Sequence, residues 1–203
     1  MKKELKNKII KKMEKIKKIR EATGAGILDI KKALDEADGD EKKAIEILRK
    51  KGIERADKKN SRETKEGIIG VYAHSTGKIV AWVKLCCETD FVARNEIFIN
   101  LSKELAMQVA AMSPTAVAPD DVDKEVVLKE KEIWLSQIEK EKKPAEIVEK
   151  IIIGKEEKFR KENSLLGQAF IKDQNVVVGD YIKEHIAKLG ENIRVEDFGR
   201  IEL

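Results

Sequence analysis

The spacing of apolar and polar positions changes period along the chain. Leu5, Ile9, Met13, Ile16 and Ile19 recur at steps of four, four, three and three, drawing one apolar stripe down a helix whose other faces are rich in lysine. That helix is expected to end near Thr23-Gly24-Ala25-Gly26. A second is predicted through Ile27, Ile30, Ala33, Leu34 and Ala37. Gly39 stops it, Asp40 is placed to cap a third that carries Ala44, Ile45 and Leu48, and Gly52 closes the third. The pattern then turns to β: Gly67 to Ala73 and Lys78 to Glu88 (GIIGVYA, KIVAWVKLCCE) flank His74-Ser75-Thr76-Gly77, the signal of an antiparallel hairpin. Helical spacing returns in Phe98, Leu101, Leu105, Val109 and Met112, with Asn95 to cap the helix and Ser113-Pro114 to stop it.

Val122, Val126, Ile133, Trp134 and Ile138 suggest a long helix from Asp121 to Lys142, and Pro144 opens another through Val148, Ile151 and Phe159. Together these predict a helical hairpin over about residues 121–161. A loop, Asn163 to Gln168, leads to a short helix near Gly179 to Leu189 and a closing strand from Ile193 to Glu202. The fold class is therefore α+β: a three-helix module followed by a small antiparallel sheet packed with helices and a helical hairpin. The expected boundaries are 1–53 for the module, 54–66 for a charged connection (ERADKKNSRETKE, a solvated linker or an exposed helix), and 67–203 for the core domain.

Charge supports the division. Of 203 residues 39% are charged, with a net charge of +4, yet residues 1–65 carry 22 basic and 13 acidic groups while residues 66–203 carry 20 and 25. Three short helices bury a small core, so the first module suits docking better than catalysis. No apolar run approaches the roughly 20 residues that span a bilayer. The stretch from Met1 to Arg20 holds Glu4 and Glu14 and has neither an apolar signal core nor a Ser- and Arg-rich transit pattern. No membrane association is expected, and the location is expected to be cytoplasmic. Cys86 and Cys87 are adjacent in a strand, where their side chains point to opposite faces and a mutual disulfide would be strained, so reduced thiols are expected. A thiol enzyme lacks a nearby base in the sequence. His74 and His185 stand far apart with no ligand spacing, so neither metal nor cofactor is expected. Thr23 to Gly26 is glycine-rich but follows a helix and lacks a Gly-Lys-Ser/Thr, so direct nucleotide binding is not expected either.

Two segments carry functional alternatives. Lys2 to Lys18 sets nine lysines against two glutamates, which could release counterions from a phosphate backbone and would suit an RNA-binding accessory protein. The run has no aromatic for base stacking and no arginine before Arg20, which favours a solvated helix face. At Thr89 to Arg94 a strand turns into a helix, a junction that can hold a side chain outward on two rigid elements. By phase Phe91 lies seven before Phe98 and reads as core, and Asp90 reads as a helix N-terminal acid stabilised by the dipole.

The segment Thr89-Asp90-Phe91-Val92-Ala93-Arg94-Asn95, preceded by Cys87-Glu88, resembles the signature of the translation elongation factor Ts family. Ile19 to Leu34 (IREATGAGILDIKKAL) is similar to that family's amino-terminal signature, Ser164-Leu165-Leu166-Gly167-Gln168 to its late loop, and Gly190-Glu191-Asn192-Ile193 to its carboxyl-terminal strand. The resemblance covers nearly the whole chain. It implies a ubiquitin-associated-like three-helix module in front of the core, and a guanine-nucleotide exchange factor for elongation factor Tu that does no covalent chemistry. It further implies that Asp90 and Phe91, flanked by Thr89 and Val92, push into the GTPase near its magnesium, and that Ile27 and Leu28, with Ile19, dock the module on it. Many members carry His in the segment matching Met107-Gln108-Val109, a second contact on the phosphate side; here the residue is Gln108, whose neutral amide can still hydrogen-bond. The chain resembles the short members with one core subdomain, which implies a homodimer built on a sheet surface that the closing strand helps to offer.

Overall fold

The structure is a computed structural model and describes residues 2–139 and 144–203, with the side chains of residues 2–12 and 139 outside the description. Leu5 and Ile9 of the predicted stripe, the lysines from Lys2 to Lys12, and the end of the first hairpin helix at Glu141 and Lys142 therefore lie outside the described residues or side chains.

Three helices open the chain: α1 (Lys2–Thr23), α2 (Ile27–Glu36) and α3 (Glu41–Asp57). They close on a small core of Ile19, Ile30, Ala33, Leu34, Ala37, Ala44 and Leu48. Asp40 caps α3 as the sequence predicts, its carboxylate accepting from the Lys42 and Lys43 N–H groups at 2.8 and 3.2 Å. The helix does not stop at Gly52. It runs on to Asp57, because Gly52 faces the second unit at a distance where a Cβ would stand 3.2 Å from the Ala187 Cβ, and Ala56 is buried in the main core. The glycine serves close helix packing there, and only the part after Asp57 is a connection.

The core domain is built on β1 (Glu66–Ala73), β2 (Ile79–Cys87) and, arriving last, β5 (Ile193–Glu202), in the antiparallel order β1-β2-β5. Alternation puts Ala81, Val83, Leu85 and Cys87 on the inner face, under α5 (Glu96–Met112), whose Phe98, Leu101, Leu105 and Val109 are buried against them. Helix α5 comes close because β1 carries Gly70: a Cβ there would sit 2.4 Å from the Ser102 carbonyl oxygen. A one-turn helix α4 (Asp90–Ala93) joins β2 to α5. Helices α6 (Lys124–Glu139) and α7 (Ala145–Glu162) stand against each other through Trp134 and Phe159, ring centroids 5.7 Å apart, as the expected hairpin. Then come a feature the periodicity did not show, a ribbon of β3 (Ala169–Phe170) and β4 (Asp173–Val177), and α8 (Val178–Leu189), which lays Val178, Ile182 and Ile186 into the core. Among the described residues no helix is long and apolar enough to cross a membrane.

Candidate functional site

At the end of β2 the chain must leave the sheet and start α5, and it does so in one turn. Asn95 caps α5 by accepting from the Ile97 N–H at 2.9 Å, so α4 is fixed at both ends by ordered structure. Four residues of helix divide between two sides. Ala93 is buried and Val92 half-buried against the core, which leaves Asp90 and Phe91 outward. Phe91 is 82% exposed, contrary to the core position its phase with Phe98 suggests. The one-turn helix ends at Arg94 and a new one starts at Asn95, so the phase is broken between the two phenylalanines. Leaving a benzyl group in water forgoes roughly 1.5–3 kcal/mol of burial, and departures of this kind concentrate at functional sites. The Asp90 carboxylate meets Arg94 Nη2 at 3.1 Å, an exposed pair that exchanges easily for another partner.

Thr89 stands at the N-cap of α4 yet makes no side-chain cap bond. Its hydroxyl donates instead to Glu191 Oε1 at 2.6 Å, while Glu191 Oε2 accepts the Thr89 and Glu88 backbone N–H groups at 3.0 and 3.1 Å. Glu88 answers across the same gap, its Oε1 accepting the Asn192 N–H at 2.6 Å. The sheet register explains the pairing: Cys87 lies opposite Ile193, so residues 88 and 89 run on beside 192 and 191. Asn192 is buried, and its amide also donates to the Arg62 carbonyl at 2.8 Å; Lys59 Nζ donates to the Gly190 carbonyl at 2.5 Å. The corner is thus stitched through the α8–β5 turn to the segment that leaves α3. In the sequence Glu191 and Asn192 stand only as part of the stretch similar to the family's carboxyl-terminal strand, with no role of their own. The signal that finds them is the β2–β5 register, which periodicity alone does not supply.

The module presents a second apolar patch. Ile27 and Leu28 open α2 directly after the glycine-rich turn and are 46% and 74% exposed. A bidentate pair between Arg55 and Asp29, at 2.9 and 3.2 Å, pins that first turn to α3, and the hydrogen bonds from Arg55 hold the Asp29 carboxyl below its usual range. Ile19 does not join the patch. It is wholly buried among the three helices, as its phase with Ile16 requires.

Gln108 is also fully buried. Its Nε2 donates to Gln168 Oε1 and to the Ala169 carbonyl, both at 3.1 Å, and its Oε1 accepts the Ile171 N–H at 2.8 Å. In this fold the side chain ties α5 to the β3–β4 ribbon and has no face left for a partner. The thiols are spent as well: Cys86 donates to Glu196 Oε2 at 3.1 Å and Cys87 to the Thr89 carbonyl at 3.2 Å, and burial pushes both up to about 11. Thiols raised in this way carry little thiolate, the reactive form, at neutral pH.

The profile of the elongation factor TS family matches residues 2–203. The chain is 56% identical over 191 residues to elongation factor Ts of Thermotoga maritima, covering 94% of this chain and 95% of that protein. It is 53% identical over 188 residues to elongation factor Ts of Maridesulfovibrio salexigens, 93% and 91% covered, and 53% identical over 188 residues to that of Fervidobacterium nodosum, 93% and 95% covered. These relatives lend nothing to an RNA-binding reading of the basic first helix.

Proposed function

Because the chain belongs to the elongation factor Ts family and is a guanine-nucleotide exchange factor for elongation factor Tu, we propose that it works through the corner after β2. Asp90 and Phe91 enter the GTPase beside its magnesium. An acidic group there competes with the phosphates for the cation, and the ring wedges apart the segments that hold it, so the nucleotide loses a large share of its binding energy. Thr89 and Val92 hold the corner, and Ile27 and Leu28 dock the module on the GTPase. By linkage, a factor that weakens nucleotide is weakened by nucleotide to the same degree, so incoming GTP displaces it and the cycle turns without any covalent step. The protein acts in the cytoplasm. The observation that carries this reading is the exposure of Phe91 on a turn fixed at both ends.

The chain acts as a homodimer, joined through the outer face of the sheet. Ile69, Val71, Val80 and Ile201 are exposed there as cross-strand neighbours around Trp82, which lies over Gly199. An apolar patch on the uncovered face of a three-stranded sheet supports self-association. Two experiments test the proposal. Substoichiometric protein should speed release of labelled GDP from elongation factor Tu, and Leu28→Ser should raise the concentration needed for half the effect; no acceleration would end the reading. Sedimentation equilibrium should give a dimer for the native chain and a monomer for Val71→Lys; a native monomer would remove the dimer.

A further inference from the structure

We propose that Glu191, on the turn between α8 and β5, is the positioning residue that sets the exchange corner, a role that rests on the reading of Phe91 above. One carboxylate receives three donors from the two residues immediately before Asp90: the Glu88 N–H, the Thr89 N–H and the Thr89 hydroxyl. Such charge-assisted bonds are the strong ones, and here they converge on the point where the chain changes direction. Helix α4 is a single turn and makes no side-chain cap bond of its own. Its starting angle is therefore imposed from across the sheet.

The turn that carries Glu191 is itself held. Gly190 closes α8 in the left-handed region, at φ 82°, and its carbonyl accepts Lys59 Nζ; Asn192 returns a backbone donor to Glu88 and an amide donor to Arg62. Glu191 thus has a fixed base from which to aim the corner. Losing it leaves Phe91 on the surface but no longer in one orientation, and a displacement of about 1 Å at a working group can cost on the order of a hundredfold in rate.

The test is the exchange assay with full-length protein and GDP-loaded elongation factor Tu, titrated to saturation. Glu191→Ala removes both acceptor oxygens and leaves the Glu88 N–H, the Thr89 N–H and the Thr89 hydroxyl without that partner. It is expected to lower the maximal release rate about tenfold or more, while the half-saturating concentration, set by the Ile27 and Leu28 patch, moves less than about twofold. In a Phe91→Ala background the same change should cost clearly less, since of the two groups it aims only Asp90 remains. Thr89→Val, which removes one of the three donors and spares the backbone, is the milder variant and should show the same split at about a fivefold loss. An unchanged maximal rate in both variants beside an impaired Phe91→Ala overturns the role of Glu191 alone. So does a loss that persists undiminished in the Phe91→Ala background. Undiminished exchange by Phe91→Ala overturns the wedge itself, and the role of Glu191 with it.

Discussion

Gln108→Leu separates two roles that one residue could hold. The side chain is fully buried, and its carboxamide serves three partners: Gln168 Oε1, the Ala169 carbonyl and the Ile171 N–H. Leucine matches the volume but supplies no donor or acceptor, so three polar atoms lose a partner, Gln168 Oε1 in a buried contact and the Ala169 carbonyl and Ile171 N–H in partly buried ones. Each such loss costs about 1–3 kcal/mol, and relaxation of the short ribbon recovers part of it. A net loss of about 3 kcal/mol or more is expected, which for a chain of this length is a fall of roughly 6–12 °C in melting temperature. The assay is thermal unfolding followed by circular dichroism, paired with GDP release measured well below the transition. The folded variant should exchange at the native maximal rate. A melting temperature within about 2 °C of native, together with weakened binding to elongation factor Tu, would return Gln108 to the partner surface.

Gly70→Val should destabilise by about 3 kcal/mol or more, read from urea unfolding, because the Ser102 carbonyl occupies the space of the new side chain, 2.4 Å from its Cβ; a stable variant would mean that α5 can lift off β1. The thiols should resist iodoacetamide at pH 8 in the folded protein and react once urea unfolds it, and rapid labelling of the native chain would contradict their burial. Both thiols lie above their ordinary 9.0, so the protonated forms stabilise the fold up to about pH 9, and that contribution is lost as pH rises through about 11. Cys87→Ala should flatten the alkaline fall in melting temperature; an equally steep fall would assign it to other groups.

Much of the architecture is legible where a single physical rule dominates. Asp40 and Asn95 each precede an apolar run and each cap the helix that follows, and the closing strand spans Ile193–Glu202 as the alternation predicts. Where two rules compete, the local one misleads. Gly52 reads as a helix stop but is a packing contact with Ala187. The β3–β4 ribbon is too short for a period to show, and tertiary bonds from Gln108 hold it rather than any strong β pattern. Phe91 keeps helical phase with Phe98 only on paper, since the chain leaves one helix and enters another between them. The exposure of Ile27 and Leu28 was readable from their place at a helix start. Glu191 was not readable as a support, because its meaning depends on a pairing between residues 102 positions apart.

If one exposed ring at the β2–α4 corner drives nucleotide release, removing it should slow exchange without loosening the fold. The direct measurement is the rate of GDP release from elongation factor Tu at saturating protein, native against Phe91→Ala, with the melting temperatures of both recorded. Because Phe91 is 82% exposed, the substitution should leave stability within about 0.5 kcal/mol of native. The release rate should fall by about tenfold or more, the loss expected when a central aromatic anchor of an interface is truncated. Equal release rates from two equally stable proteins would take that role away from Phe91.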